Sequence, residues 1–342
     1  MTKTILVTGG AGYVGSTLVT ALAKDGNHVK CLDRFFFGMN YPDWEPFKKN
    51  IEIIKDDIRW FNPQILDDVD VVMDLAALSN DPVADLDPVK TYDINYLGRS
   101  RVARLSKQHG VKQYILASSG SSYGINKKEK VNEDSPLSPL TIYAKANRMA
   151  EIDNLSLNDE SFPVTVLRFS SIYGVSQRMR FDISVNSMTR DLYNTGKIIV
   201  TGDGNQWRPF LHIADAIDAY KLLLDATLEK ISGEIFNVGS DDQNFDLNTI
   251  AKTVGDSSGL DYEITHKSTH DDRYYIVSFE KIKNTLGFVT KRTIQDGVPE
   301  MINALKNGII TDSLETITIE WYKHLINSQK LVKDTTIKDT IL

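Results

Sequence analysis

Hydrophobic positions in the first half of the chain come in short, nearly continuous runs separated by longer stretches with a helical period. The runs are KTILVTG (3–9), HVKCLD (28–33), IEIIKD (51–56), DVVMDLAA (70–77), QYILASS (113–119) and VTVLRFS (164–170). Strands covered on both faces have this apolar character, and their alternation with helical stretches predicts a parallel sheet with crossover helices. Between the first two runs, YVGSTLVTALAKDG places Val14, Leu18, Ala21 and Leu22 on one helical face, with Gly26 placed to stop the helix. The pattern predicts an α/β protein built on a doubly wound parallel sheet.

After about residue 172 the alternation loosens, and GVSQRMRFDISVN and TGDGNQWRP are rich in polar, glycine and arginine residues. A first domain over 1–172 and a smaller, mostly C-terminal, substrate-binding domain over 173–208 and 239–327 are expected. FLHIADAIDAYKLLLDA (210–226) returns to a strong helical period, so 209–238 is expected to rejoin the first domain. The tail SQKLVKDTTIKDTIL, 328–342, is polar and weakly periodic, which fits a mobile end.

The bulk composition narrows the partners. With 342 residues, 41% of them hydrophobic and 25% charged, the chain has the make-up of a soluble globular protein. A net charge of −7 argues against a nucleic-acid surface, and no apolar run approaches the ~20 residues that span a bilayer. The single cysteine, Cys31, excludes an intramolecular disulfide and fits a reducing, cytoplasmic setting in which it simply packs. KTILVTGG runs straight into a strand without a cleavage pattern, as expected of an unprocessed chain. The six histidines show no metal-binding spacing, and His109 and His212 are expected at a helix end and in a strand.

VTGGAGYVGS follows the first strand and opens the first helix, giving Gly9-x-x-Gly12-x-x-Gly15 and, overlapping it, Gly10-x-Gly12-x-x-Gly15. Glycine lets backbone turn sharply and approach a pyrophosphate, whose charge meets free N–H groups and the positive end of the helix dipole. Asp33 ends the second strand 18 residues after Gly15, near the spacing expected of a carboxylate that accepts from the adenosine ribose hydroxyls. A carboxylate there repels a 2′-phosphate, which favours NAD over NADP. Arg34 is the one dissenting cation, able to accommodate that phosphate or to stack on adenine; Phe35, Phe36 and Phe37 either wall the adenine or pack the loop.

These motifs, followed in order by KDDIR, LAALSNDP, YDINYLG, ASSGSSYG, YAKANRMAE, RFSSIYG, RPFLHIADAIDAY, FNVG and DDRYY, run over nearly the whole chain. Together they resemble the extended short-chain dehydrogenase/reductases, in the nucleotide-sugar epimerase and dehydratase branch. The resemblance implies a Rossmann-type sheet with NAD held by Gly9, Gly12, Tyr13, Val14, Gly15, Asp33 and Arg34 on one side. On the other it implies Asp57 and Ile58 near the adenine and Leu75, Ala76 and Ala77 along the pyrophosphate and ribose. Asn95 would lie behind the cofactor, with Ser118, Tyr143, Asn147 and Ser170 completing its site. Ser119 matches the catalytic Ser/Thr and Tyr143 the catalytic tyrosine, 24 residues apart at a strand end and a helix start.

The chemistry implied is removal of a hydride from a sugar carbon, usually C4, while the tyrosine takes the hydroxyl proton and the serine hydrogen-bonds the same oxygen. In dehydratases an Asp-Glu pair directly follows the Ser/Thr; here those places hold Gly120 and Ser121, which disfavours 4,6-dehydration. Arg208 and Arg273 match arginines that contact the diphosphate of a nucleotide-diphosphate sugar, and guanidinium forks suit phosphate oxygens. Arg180 and Phe181 occupy the nucleotide-contacting stretch, and Ser121 and Ser171 the sugar side. Relatives often dimerise through two helices per subunit, which here would lie around 88–109 and 141–157.

One position departs from the resemblance. The family tyrosine is followed four residues later by lysine, on the same helical face; here that place holds Asn147, while Glu151 keeps the frame. The lysine holds the nicotinamide ribose and favours the phenolate of a tyrosine that, with a pKa of about 10, is otherwise ionised in only about one molecule in a thousand at pH 7. An amide can donate to the ribose but brings no charge. Lys145, two residues along, points about 200° around the helix, away from Tyr143. Three readings stay open: a C4 epimerase with a slower or alkaline-shifted base, a one-way oxidase or ketoreductase, and a binding protein without turnover.

Overall fold

The apolar runs become strands of one seven-stranded, all-parallel sheet in the computed structural model, which describes residues 2–268 and 273–336. β1 (Thr4–Thr8), β2 (His28–Asp33), β3 (Ile51–Lys55), β4 (Val71–Asp74), β5 (Gln113–Ser119), β6 (Val164–Phe169) and β7 (Ile235–Val238) lie in the order β7-β6-β5-β4-β1-β2-β3. The chain starts at β1, winds out to β3, then returns to the other side of β1. The crevice beyond the carboxyl ends of β1 and β4, where the order reverses, is the place such sheets offer a ligand.

Both faces of the sheet are covered because side chains alternate along each strand. Ile5, Val7, Val29, Cys31, Val71 and Met73 pack with Leu18, Val19 and Leu22 of α1 (Tyr13–Lys24). Leu6, Leu32, Val72, Tyr114 and Leu116 pack on the opposite face with Val102 and Ala103 of α2 (Arg99–Gln108) and Ala150 of α3 (Ile142–Leu155). A second core gathers α4 (Ser184–Thr195), with helices of the C-terminal part of the chain, over the strand Lys197–Thr201. A three-stranded sheet of Ser171–Tyr173, Trp207–His212 and Asn244–Asp246 lies beside that core.

One segment differs from the expectation. Phe210 and Leu211, which share the helical period of 210–226, instead close a strand with His212, the strand position expected of that histidine, because the three pair in parallel with Ser171, Ile172 and Tyr173. The helix, α5 (Ile213–Asp225), begins only after them, with His212 Nδ1 accepting the Ala214 N–H at 3.2 Å. His109 caps the end of α2, as its position suggested. Residues 328–335 of the polar tail belong to α6 (Thr318–Thr335), while 337–342 lie outside the described residues. That helix is held by contacts its period does not signal: Trp321 Nε1 donates to the Phe36 carbonyl at 2.7 Å, and Tyr322 sits edge-on against Phe36 and Phe37. Among the described residues no helix is long and apolar enough to cross a membrane.

Candidate active site

A cleft of about 700 Å³ opens at the switch point and runs between the sheet and the second core. Its dinucleotide end is shaped by missing side chains. Gly9 has φ +68°, and a Cβ there would lie 2.8 Å from the Ala76 backbone; a Cβ on Gly15 would lie 2.1 Å from the Gly9 carbonyl oxygen. The loop folds onto itself only because both are glycine, and Gly12 begins α1 without a side-chain cap over the helix N–H groups. Tyr13 turns its hydroxyl away to the Gly174 carbonyl at 2.7 Å, tying the loop to the second core, while Val14 lines the cleft.

Asp33 accepts the backbone N–H of Ala11 at 3.0 Å and of Phe35 at 2.8 Å, so its carboxylate is fixed at the end of β2. Burial raises its pKa against the pull of those N–H groups. Arg34 is spent on Asp57, at 2.7 Å, and lies over the Phe36 ring at 4.8 Å. Burial would push Asp57 up, but hydrogen bonds from Arg59 and Arg34 outweigh it and hold the carboxyl at about 2. The aromatic run divides its labour: Phe36 and Phe37 line the cleft, whereas Phe35, at φ 55°, is buried against Tyr41. A bare glycine turn, an unblocked helix start and a fixed carboxylate fit an adenine dinucleotide; Asp57 and Ile58 border the same space.

Asn95 sits behind this wall. It lies in a π-helical turn, Asp93–Gly98, and clamps Leu78, accepting its N–H at 2.8 Å and donating to its carbonyl at 2.9 Å. That clamp sets the path of Leu75, Ala76 and Ala77 along the cleft.

At the reacting end, Ser119 closes β5 and Tyr143 stands in the first turn of α3, whose start is capped by Thr141 Oγ1 accepting from Ala144 N–H at 3.2 Å. Both line the cleft, and the Ser119 hydroxyl accepts the Ser121 N–H at 3.2 Å. Ser118 donates to Glu151 at 2.6 Å. Glu151 is fully buried; Arg168 grips it at 2.9 and 2.8 Å, and Arg148 reaches it at 3.0 Å. Burial works against its charge, but these partners outweigh it and hold the carboxyl below its usual range. Arg148 is thereby committed to α3, and Lys145 is exposed, as its helical position required.

Asn147 is buried, and its Oδ1 accepts a hydrogen bond from Arg99 Nη1 at 3.0 Å. Arg99 is itself buried, with Nε on Asp74 Oδ2 at 3.2 Å and Nη2 on the carbonyls of Asp74 and Ala117. Asn147 Nδ2 has no hydrogen-bond partner among the described residues. Burial and the nearby Asp81 raise the Tyr143 pKa, while Arg99, the Asn147 amide and Arg180 pull it down.

Across the cleft from α3, Arg180 is buried against Asp182 at 2.9 Å and Ser79 Oγ at 3.1 Å. Arg208 donates to the Arg273 carbonyl, and the Arg273 guanidinium pairs with Asp81, so the two arginines form one linked wall of the cleft. Ser121 and Ser171 line the cleft, the former with a buried hydroxyl that has no partner among the described residues. Ser170 also lines it and donates to the Val238 carbonyl at 2.8 Å. Phe181 is a correction: its ring is 1% exposed in the second core, not in the cleft, because Arg180 and Asp182 take the cleft-facing places on either side. Sequence reasoning missed Arg99, Asp81, Arg178 and Tyr322. Arg178 is buried, with its guanidinium 3.6 Å from the Phe37 ring, and burial brings its pKa down to about 10. Asp81, inside the LSNDP motif, and Arg178, inside the arginine-rich run 174–186, carried a signal that could have pointed to them.

Comparison with known proteins identifies the family. Residues 5–239 match the model of the NAD dependent epimerase/dehydratase family. The UDP-glucose 4-epimerase of Lactobacillus helveticus is 28% identical over 314 residues, covering 86% of this chain and 94% of its own. The UDP-N-acetyl-alpha-D-glucosaminuronate decarboxylase of Bacillus cytotoxicus is 28% identical over 340 residues, covering 96% and 100%. The solved structure of MoeE5 in complex with UDP-glucuronic acid and NAD superposes with a TM-score of 0.79 at 26% identity, over 89% of this chain and 99% of that one.

Proposed function

Because this chain belongs to the NAD-dependent epimerase/dehydratase family, whose cofactor is NAD, we propose that it is a nucleotide-sugar epimerase acting at C4 through a transient 4-keto sugar. The observation that carries the reading is the convergence of Ser119 and Tyr143 on the cleft, followed by Gly120 and Ser121 where a dehydratase needs an acid pair. NAD, when bound, supplies the acceptor and donor of the C4 hydride. Tyr143 takes the C4 hydroxyl proton and later returns it; Ser119 hydrogen-bonds the oxygen as it becomes a carbonyl. Arg208 and Arg273 take the diphosphate, with Arg180 beside them on the nucleotide side. Exposed Val89, Leu97, Met149 and Ile152 lie on the two helical regions expected to dimerise, which supports a homodimer.

The test is incubation with UDP- and GDP-sugars, following sugar stereochemistry by NMR and absorbance at 340 nm. Conversion of one C4 epimer into the other without net NADH supports the reading. Stoichiometric NADH with release of a ketosugar replaces it by an oxidase, and binding of NAD and sugar nucleotide without any conversion replaces it by a binding protein.

A further inference from the structure

The missing lysine leaves a question of charge, and the buried guanidinium behind Asn147 answers it. We propose that Arg99, acting through the side-chain amide of Asn147, supplies at Tyr143 the positive charge and the aimed N–H donor that a single lysine supplies in relatives. This rests on the proposed role of Tyr143 as the proton-transfer residue. Arg99 touches neither substrate nor the tyrosine oxygen, so it is a positioning residue.

The first support is directional. A guanidinium has five N–H donors and no acceptor, so the atom of Asn147 that meets Arg99 Nη1 at 3.0 Å must be the oxygen. That contact decides the amide's orientation and turns Nδ2 the other way. Asn147 is 1% exposed and lines the cleft, and its Nδ2 has no partner among the described residues, although an unpaired buried donor costs about 1–3 kcal/mol. The amide already favours the Tyr143 phenolate as a donor, although among the described residues no acceptor stands at full hydrogen-bond geometry to Nδ2, so the tyrosine oxygen, or a ribose hydroxyl that enters the cleft, has the acceptor it needs.

The second support is the way Arg99 spends its donors. Were it only the counter-ion of Asp74, a side-on bidentate pair would be the stronger arrangement. It places only Nε on Asp74 Oδ2, at 3.2 Å, and sends Nη2 to the backbone carbonyls of Asp74 and Ala117. Asp74 is satisfied elsewhere as well, by Thr8 Oγ1 at 2.6 Å and Tyr114 OH at 2.7 Å. Nη1 is left for α3. The π-helical turn Asp93–Gly98 directly precedes Arg99 and, with the extra residue such a turn adds, brings the head of α2 against the ends of β4 and β5.

The third support is the balance of charges around Tyr143. Asp81, on the segment after β4, opposes its ionisation; Arg99, from α2, and Arg180, from the second core, favour it. Arg180 is already paired with Asp182, and Asp81 with Arg273. Arg99 therefore stands as the cation that reaches the tyrosine from beneath, through the amide.

The experiment reads the tyrosine directly, without NAD or sugar. The full chain is labelled with tyrosine carrying 13C at Cζ, and the Tyr143 resonance is identified by its loss in Tyr143→Phe. In Arg99→Gln the titration midpoint should rise by about one unit, which is tenfold less phenolate at neutral pH. Should that variant not fold, Asp74→Asn/Arg99→Gln removes both charges of the buried pair, leaves no orphaned ion and should show the same rise. Asn147→Lys should do little in the wild-type background, where the ammonium meets Arg99, and should restore the midpoint when Arg99 is Gln. A midpoint unmoved by loss of Arg99, or lowered equally by Asn147→Lys in both backgrounds, overturns the proposal. A chain that shows the expected pattern yet epimerises no sugar nucleotide overturns the proposed function alone.

Discussion

The two ends of the cleft are built by opposite means. At the dinucleotide end, recognition comes from what is missing: Gly9 and Gly15 let backbone approach backbone, and the start of α1 is left uncovered. At the reacting end it comes from side chains with their charges one layer behind the surface, in the Asp74–Arg99–Asn147 chain and the Arg168–Glu151–Ser118 chain. The first end should therefore fail when atoms are added, and the second when charges are removed.

The largest effect that bears on this contrast is loss of the tyrosine oxygen. Tyr143→Phe is expected to lower kcat by about 10²–10⁴-fold while leaving NAD affinity, measured by calorimetry, essentially unchanged. Turnover within about tenfold of wild type would show that the proton is handled elsewhere.

Next is the charge chain beneath. Glu151→Gln leaves Arg168 buried without its carboxylate and should cost about 3–5 kcal/mol in urea unfolding at neutral pH. Because the folded-state pKa of Glu151 lies below the usual value of 4.5, its contribution is fully present above that value and is lost as pH falls through the lower folded-state one. The gap between wild type and variant should thus close in acid; a gap that is the same at every pH would mean that packing, not charge, is at stake.

For the steric end, Gly15→Ala forces a Cβ to within 2.1 Å of the Gly9 carbonyl oxygen. A stability loss of about 1–3 kcal/mol by thermal unfolding, with loss of NAD binding, is expected. Normal binding in this variant would remove the basis of the contrast.

The smallest effect is the pH profile. Burial and Asp81 keep the Tyr143 pKa raised despite Arg99, so the phenolate fraction grows as pH rises through and above neutrality. The logarithm of kcat/KM should climb toward alkaline pH, by up to about tenfold per unit where ionisation limits the rate. A profile flat from neutral to high pH would mean that Tyr143 is not the limiting base.

Much of the first domain was legible because its signals are local. The runs at 28–33 and 113–119 are strands over those same residues, since a doubly covered strand must be apolar along its whole length. The glycine turn and Asp33 could be read for the same reason, whereas Ser119 and Tyr143 were singled out only by the family resemblance. Phe181 misled because adjacent residues in an irregular loop face opposite ways, and Phe210 and Leu211 because so few residues satisfy a helical or a strand period equally, although His212 beside them was expected in a strand. The start of α6 is fixed by Trp321 and Tyr322 against Phe36 and Phe37, nearly three hundred residues away, a contact no local period signals.

The sequence by itself determined the parallel sheet and the dinucleotide turn, since each is written in contiguous residues or a short spacing, while the family resemblance pointed to Ser119, Tyr143 and the amide at Asn147 in the place of a lysine. Only the tertiary structure decided where a replacement charge stands. Arg99 lies 48 residues from Asn147, in a helix, RSRVARLSKQ, with several cations and no local mark of which one turns inward. What makes it a buried cation is the closing of β4 and β5 above it, whose carbonyls and carboxylate repay its desolvation, and no periodicity along one segment encodes that meeting.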